Sequence, residues 1–430
     1  MTTLITPKIL KGTRDFLPED MAKRNFALKI IRETFERFGY DMIDTPAIEY
    51  AETLLGKYGE EGSKLVYQFK DNGKRDIALR YDQTVPFARL IAANWQKLPM
   101  PFKRYQVSKV WRADKPARGR YREFTQCDID FIGTDSPLAD AEIAIVIFQT
   151  IKDLGFEKFT LTVNDRRIIN QIFRNFNVPE TEYGFVLRTL DKLEKIGEDA
   201  IRKELETRLD SKMVASLLQV LIQRESNEEI MESLASYDCQ AFKQFLSFCE
   251  AYGMEGKLKI DLSLARGLDY YTGVIFEAAI DDVNVGSVCG GGRYDDLCGM
   301  FSKKKFSGTG VAFGFDRLVL AMEELGLLSK VSLSPEVLVI NFPETIRDSI
   351  KLSKELQSLG INTELYIETA KLTKQMKYAN QKGIPFVVIY GEEEQKSDEV
   401  TIKIMKTGIQ KTIPRVQLGA YLQGFNNVNV

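Results

Sequence analysis

Eight cations crowd one short stretch of the chain: Lys103, Arg104, Lys109, Arg112, Lys115, Arg118, Arg120 and Arg122. Tyr105, Trp111, Tyr121 and Phe124 interleave with them, and Glu123, Gln126, Asp128 and Asp130 follow. Guanidinium forks match phosphate oxygens, while a carboxylate answers an ammonium or an imidazole N–H. Cations for phosphate beside acids for nitrogen suit a site that joins a nucleotide to an amino acid. A solvated charged hairpin is the plainer reading of the same run, and the acids at fixed offsets weigh against it.

Three further constellations add to this. LARGLDYYTGVIF places Arg266 beside Gly267, Asp269 and the pair Tyr270–Tyr271. Adjacent residues of a strand point to opposite faces, so only one of these tyrosines easily lines a given pocket. SVCGGGRYDDL carries Gly290, Gly291 and Gly292 in a row, which implies a close backbone approach or a sharp turn. It has neither the P-loop spacing nor GxGxxG. GTGVAFGFDRLVL sets Arg317 at a helix start, after a strand whose Gly310, Ala312 and Gly314 leave room for a flat ligand. An arginine there can stack on a purine or bind phosphate.

The chain contains no histidine. That removes the Ser-His-Asp triad, the Cys-His pair and the HExxH metal site. Five cysteines, none in a CxxC pair, favour neither a disulfide framework nor a cysteine metal site. What remains is charge stabilisation and positioning, which phosphate and nucleotidyl chemistry needs most.

These residues need a scaffold of several parts. At roughly 150 residues per domain, 430 residues suggest two or three domains, and 44 % hydrophobic residues can supply the cores. The periodicity predicts a helix over 21–38 with Gly39 as its stop. Alternation on either side of the turn DKPARG predicts a long antiparallel hairpin over 100–133, and 138–153 reads as a helix. Residues 166–255 turn rich in Leu, Glu, Lys and Arg at helical spacing and read as a helical insertion. VIFEAAI and SVCGGGRYDDL are strand-like. After a polar linker near 327–335, β-α-β-α-β alternation predicts a small α/β domain. The tail QGFNNVNV is expected to be irregular. The net charge of −2 leaves nucleic-acid contacts to local patches. Neither a long apolar run nor a signal-like N-terminus is present, so no membrane is expected and the cytoplasm is the expected location.

Together the segments resemble class II aminoacyl-tRNA synthetases, and the histidyl-tRNA synthetase family in particular. KGTRDFLPED is similar to that family's N-terminal signature. Pro46 sits where the class keeps the proline of its dimer motif. WRADKPARGRYREFTQ and GVAFGFDRLVL resemble the second and third class motifs, and LARGLDYYTGVIFE resembles a signature peculiar to the family. The resemblance implies an α+β catalytic domain built on an antiparallel sheet over residues 1–328, with the helical insertion at about 166–255. It implies an α/β anticodon-binding domain over 333–422.

The resemblance also assigns roles. Asp82 and Thr84, in LRYDQTVPFAR, with Gln126, would hold the α-amino group of histidine. Tyr81 and Asp82 stand where some members have proline and glutamate, which is similar to the branch that includes the eukaryotic enzymes. Asp130 would face the imidazole ring, with Tyr270 or Tyr271 on its other nitrogen. Arg112 and Arg266 would flank the ATP α-phosphate as the catalytic pair. Phe124 and Arg317 would sandwich the adenine, and Arg120 would reach the outer phosphates. The implied partners are histidine, ATP, Mg²⁺ on the pyrophosphate, tRNA(His) and a second copy of the chain, with no metal held by the protein itself. Lys115, Arg118 and Arg120 would meet the acceptor end, and Lys371, Lys374 and Lys377 the anticodon. The competing reading is a synthetase-like regulatory paralogue of histidine biosynthesis, or a binding module that uses the same pockets without catalysis.

Overall fold

The computed structural model describes residues 4–55, 64–222, 225–265, 271–295, 297–329, 331 and 335–426. Arg266 and Tyr270 lie outside the described residues. The chain divides into two compact units, Met1–Asp15 with Arg24–Ser329, and Phe16–Lys23 with Lys330–Val430.

The first unit contains strands β1 (Asp41–Met42), β2 (Ile48–Tyr50), β3 (Gln68–Lys70), β4 (Asp76–Leu79), β5 (Phe102–Trp111), β6 (Glu123–Ile132), β7 (Phe159–Asp165), β8 (Leu258–Ile260), β9 (Val274–Ile280), β10 (Ser287–Tyr294) and β11 (Gly308–Gly314). Eight of them form one sheet in the order β1-β5-β6-β11-β10-β9-β7-β8. Its six central strands pair antiparallel, and only the edge strands β1 and β8 pair parallel. β2, β4 and β3 make a small separate sheet.

The expected hairpin forms with unbroken register from Phe102↔Ile132 to Trp111↔Glu123. At its tip Gly119 takes φ +67, a left-handed turn that a β-carbon would strain.

The first helix spans Pro18–Arg37, with Glu19 and Asp20 in its first turn and Arg37 in its last, each charge opposing the local helix dipole. Gly39, at φ +76, ends it. Its Phe35 is buried against Tyr105 and Phe313, each at 5.7 Å between ring centroids, a burial that contributes about 1.5–3 kcal/mol. Helix Pro137–Asp153 starts on a Ser136 cap with proline in its first turn. It buries Ile143, Ile147 and Ile151.

Helices follow β7 from Arg166 to Ala251. The last of them, Gln240–Ala251, belongs to the packing of the main sheet: Phe245 lies 6.1 Å from Phe276 of β9.

The second unit has strands β12 (Val337–Val339), β13 (Thr363–Leu365), β14 (Phe386–Ile389), β15 (Glu399–Ile404) and β16 (Gln410–Pro414), in the order β13-β12-β14-β15-β16. The first three are parallel, with helices Ile346–Ser358 and Leu372–Lys382 between them. Val337 and Val339 pack in one apolar cluster, Leu338 and Ile340 in another, as a strand covered on both faces requires. The sequence reading omitted β15, β16 and the closing helix. Helix Leu418–Asn426 takes in the first four residues of the tail expected to be irregular, 423–426, while 427–430 lie outside the described residues. Among the described residues, no helix is long and apolar enough to cross a membrane.

Candidate active site

Strand β6 builds the floor of the site. With a side-chain period of two, Phe124, Gln126, Asp128 and Asp130 share one face. β11 runs beside them, pairing Gly314 with Gln126, Ala312 with Asp128 and Gly310 with Asp130. A β-carbon at 310 would fall on the Asp130 carboxyl group and 2.6 Å from the Ile129 carbonyl oxygen. Gly310 therefore makes room for a protein carboxylate rather than for a flat ligand. The space expected of this strand lies at Gly314, where a β-carbon would meet nothing nearer than 3.5 Å; on β10 there is space at Gly290, where the nearest atom is 3.8 Å away. Gly291 and Gly292 are different: a β-carbon on either would strike the neighbouring strand's backbone, so sheet packing selects these glycines. Above the floor opens a cavity of about 510 Å³.

The deep end is acidic around one buried cation. Arg104, opposite Asp130 on β5, is 0 % exposed, ion-paired to Asp130 and stacked 4.4 Å from the Phe87 ring centre. Tyr294 donates its hydroxyl to Asp130 at 2.7 Å. Burial pushes the Asp130 carboxyl up to about 6, although Arg104 and Tyr294 pull it down. Asp128 goes further, to about 8: burial leads, Arg104 opposes it, and Asp130 and Asp82 add to it. Asp82 accepts the Val85 N–H at 3.1 Å, at the start of helix Thr84–Asn94, where the helix dipole favours an acid.

The outer end is cationic and aromatic. Arg112 follows directly on β5; its Nε donates to the Tyr81 carbonyl at 3.0 Å. Its guanidinium sits 4.3 Å from the Tyr81 ring centre and 5.2 Å from that of Phe124. Arg120 donates to Asp114 at 3.0 Å. Arg317 is fixed by carbonyls, donating to Ser287 at 2.7 Å and Gly119 at 3.3 Å. Asp316 ties the segments together. It is ion-paired to Arg14, accepts Arg24 at 2.7 Å and receives the Thr125 N–H at 2.8 Å. Arg14 in turn lies 3.2 Å over the Tyr121 ring. The KGTRD segment thus braces the turn end of the hairpin.

Asp82, Thr84, Arg112, Arg120, Phe124, Gln126, Asp130, Tyr271 and Arg317 all line this one cavity. The other hairpin cations go elsewhere. Lys103 pairs with Glu142, Lys109 with Glu123, and Arg118 with Glu324. Burial pushes Glu123 up, but hydrogen bonds from Lys109 and Trp111 outweigh it and hold the carboxyl low. Arg104 and Asp128 counted only as members of the cationic and acidic runs, and Tyr294, Asp316, Asp191 and Lys195 had no role in sequence terms; Asp191 and Lys195, from the inserted helical segment, also line the cavity. Strand alternation exposes Asp128, and hairpin register exposes the Arg104–Asp130 pair; nothing local marks Tyr294.

A mainly antiparallel sheet with a cation-bearing hairpin, a glycine-rich strand leading into a helix with Arg317, and a separate α/β unit define a class II aminoacyl-tRNA synthetase. The histidyl-tRNA synthetase family profile matches residues 12–318, and that of the anticodon-binding domain matches 336–424. The histidine–tRNA ligase of Wolinella succinogenes is 43 % identical, covering 97 % of this chain and 98 % of the relative. That of Helicobacter pylori is 41 % identical over 95 % and 96 %. The crystal structure of histidyl-tRNA synthetase from Nostoc sp. PCC 7120 superposes with a TM-score of 0.86 at 29 % identity, covering 98 % of this chain and 99 % of that one. The chain belongs to the histidyl-tRNA synthetase family.

Proposed function

We propose that the chain joins histidine to tRNA(His) in two steps inside this one cavity. The observation that carries the reading is the polarity of the cavity: buried acids at the deep end, arginines and aromatic rings at the outer end. The ammonium of histidine meets Asp82, Thr84 and Gln126. The ring lies between Asp130 and a tyrosine of the Tyr270–Tyr271 pair. Recognition of both ring nitrogens rejects analogues that lack them, because buried partners would be left unpaired.

In the first step a carboxylate oxygen of histidine attacks the α-phosphorus, the bond to pyrophosphate breaks, and histidyl-adenylate forms. Negative charge grows on the α-phosphate oxygens. Arg112 and Arg266 stabilise it without a proton transfer. Phe124 and Arg317 hold the adenine, and Arg120 meets the outer phosphates. Mg²⁺, arriving with ATP, would be held by the phosphate oxygens and water and would neutralise charge on the leaving pyrophosphate.

In the second step the terminal 3′-hydroxyl of tRNA attacks the acyl carbon and releases AMP. With no histidine in the chain, a phosphate oxygen of the adenylate takes the hydroxyl proton. A replaced ionisable side chain that abolished transfer while sparing activation would overturn that assignment. Lys115, Arg118 and Arg120 meet the acceptor end, and Lys371, Lys374 and Lys377 meet the anticodon. The chain works as a cytoplasmic homodimer through the segment around Pro46, where Ile48 and Tyr50 are exposed apolar side chains.

Pyrophosphate exchange with each of the twenty amino acids tests the reading. Exchange with histidine alone, lost in Arg266→Ala, supports it. Silence with all twenty from a folded protein with Mg²⁺ removes it in favour of a regulatory paralogue.

A further inference from the structure

Three carboxylates, Asp82, Asp128 and Asp130, meet at the deep end of the cavity, and two of them have partners at hand. Asp82 accepts the Val85 N–H. Asp130 is held by Arg104 and Tyr294. Asp128 is 2 % exposed, and its Oδ1 has no hydrogen-bond partner among the described residues. Neither has Oε1 of Gln126, the next side chain along the same strand face. Buried acceptors are normally satisfied, and two neighbours left open in a cavity call for a ligand rich in N–H donors. An ammonium brings three donors and a positive charge.

Position selects which group of the ligand arrives there. On β6, Asp128 lies between Gln126 and Asp130, on the way from the phosphate-binding end to the ring-binding end. The attacking carboxylate must reach the α-phosphate near Arg112 while the ring reaches Asp130. The ammonium is bonded to the same carbon as that carboxylate, so it falls over Asp128 and Gln126. We propose that Asp128 is the counter-ion that receives the α-ammonium group of histidine, beside Asp82. This rests on the histidine-binding reading of the cavity.

A proton balance follows. In the free pocket burial leads in keeping the Asp128 carboxyl neutral, and Asp130 and Asp82 add to it; Arg104 and Arg112 oppose, and Arg80 also faces the group. The ligand ammonium reverses that balance. Neutral Asp128 and the cationic ammonium become a carboxylate–ammonium pair, and one proton leaves to solvent.

Calorimetric titration of the full chain, in buffers of low and high ionisation heat, counts that proton. At about pH 7.5 the free imidazole is mostly neutral and the amino group mostly charged, so the substrate contributes little. The wild type releases most of a proton on binding histidine or histidinol. Asp128→Asn releases far less and binds both about 10- to 100-fold more weakly, while imidazolepropionate, which lacks the ammonium, stays within about twofold. The amide has the shape of the neutral acid, so the variant folds, as circular dichroism checks. Wild-type affinity and proton count in Asp128→Asn would overturn the proposal. So would an equal loss for all three ligands, which marks a structural role, or a proton lost only in Asp130→Asn. A wild type that binds no histidine fails at the earlier step and takes down the reading of the cavity itself.

Discussion

Replacing Tyr294 with phenylalanine removes one hydroxyl and little else. That hydroxyl donates to Asp130 at 2.7 Å in a fully buried setting, and it is one of two groups that hold the carboxylate charged. A hydrogen bond to a charged group contributes about 1.5–3 kcal/mol. At about 1.4 kcal/mol per pKa unit, its loss raises the Asp130 midpoint by about one to two units. Asp130 starts at about 6. Its ionised fraction at pH 7 therefore falls from about 90 % to about 10–50 %. If the charged carboxylate accepts the ring N–H, kcat/KM for histidine at pH 7 drops about two- to tenfold in Tyr294→Phe. The deficit shrinks to below about twofold near pH 9, where Asp130 is charged in both proteins. Pyrophosphate exchange at subsaturating histidine, from pH 6 to 9, measures this directly. The substrate's imidazole and amino group titrate identically in the two assays, so the ratio of the two profiles reports Asp130 together with the smaller answering shift of Asp128, whose carboxyl the Asp130 charge pushes up. A ratio that stays flat across the range would show that ring recognition does not depend on the Asp130 charge.

The Asp128 carboxyl, pushed up to about 8, makes the folded state the tighter proton binder from about pH 4 to 8. Stability contributed by that group is therefore lost as pH rises through this window. Asp128→Asn removes the loss, so its melting temperature exceeds the wild type's by more at pH 8.5 than at pH 5; calorimetric scans at the two values check the sign. Arg104→Met leaves Asp130 buried beside a neutral chain and costs about 3–5 kcal/mol, read as a lower melting temperature of the first unit. Arg112→Gln lowers kcat for pyrophosphate exchange about 10²- to 10³-fold, with the dissociation constant of histidine from calorimetry within about threefold. Replacing Lys371, Lys374 and Lys377 together by alanine raises KM for tRNA in charging assays and leaves pyrophosphate exchange unchanged. Lys374 alone has the smaller effect, since it is already paired with Glu368 at 2.8 Å.

The sequence disclosed local order well and long-range partnership poorly. The hairpin was legible because alternation on both sides of DKPARG fixes two strands, and the register from Phe102↔Ile132 onward follows from the turn. The glycine-rich strand and its helix were legible for a similar reason. Arg104 shows where such reading stops. Hairpin register sets it opposite Asp130, but among eight cations nothing told that the fold buries this one completely beneath the acids. Tyr294 arrives from a strand 164 positions away from Asp130, so only the fold brings the two together. Gly310 was read as space for a ligand because sequence cannot tell a gap left for substrate from one filled by a neighbouring strand. In the second unit β15 was open to the same reading, since EVTIKI alternates polar and β-branched residues, whereas QKTIP is too short to mark β16, which forms by pairing with β15.

The absence of histidine and the burial of the aspartates bear on each other. A chain with no imidazole lacks the side chain that ordinarily titrates near neutral pH. In the cavity two carboxyl groups take over that range, Asp130 at about 6 and Asp128 at about 8. Both are moved there by burial first, and their separation follows from their neighbours. Asp130 has Arg104 and the Tyr294 hydroxyl in contact, whereas Asp128 is opposed by arginines that are committed elsewhere: Arg104 to Asp130, Arg112 to the Tyr81 carbonyl. On the proposed assignment the pocket therefore presents one acid charged at neutral pH for the ring, Asp130, and one held neutral until the ammonium arrives, Asp128. Such a pocket discriminates by charge as well as by shape, since a ligand without the ammonium leaves Asp128 protonated and its Oδ1 without a donor.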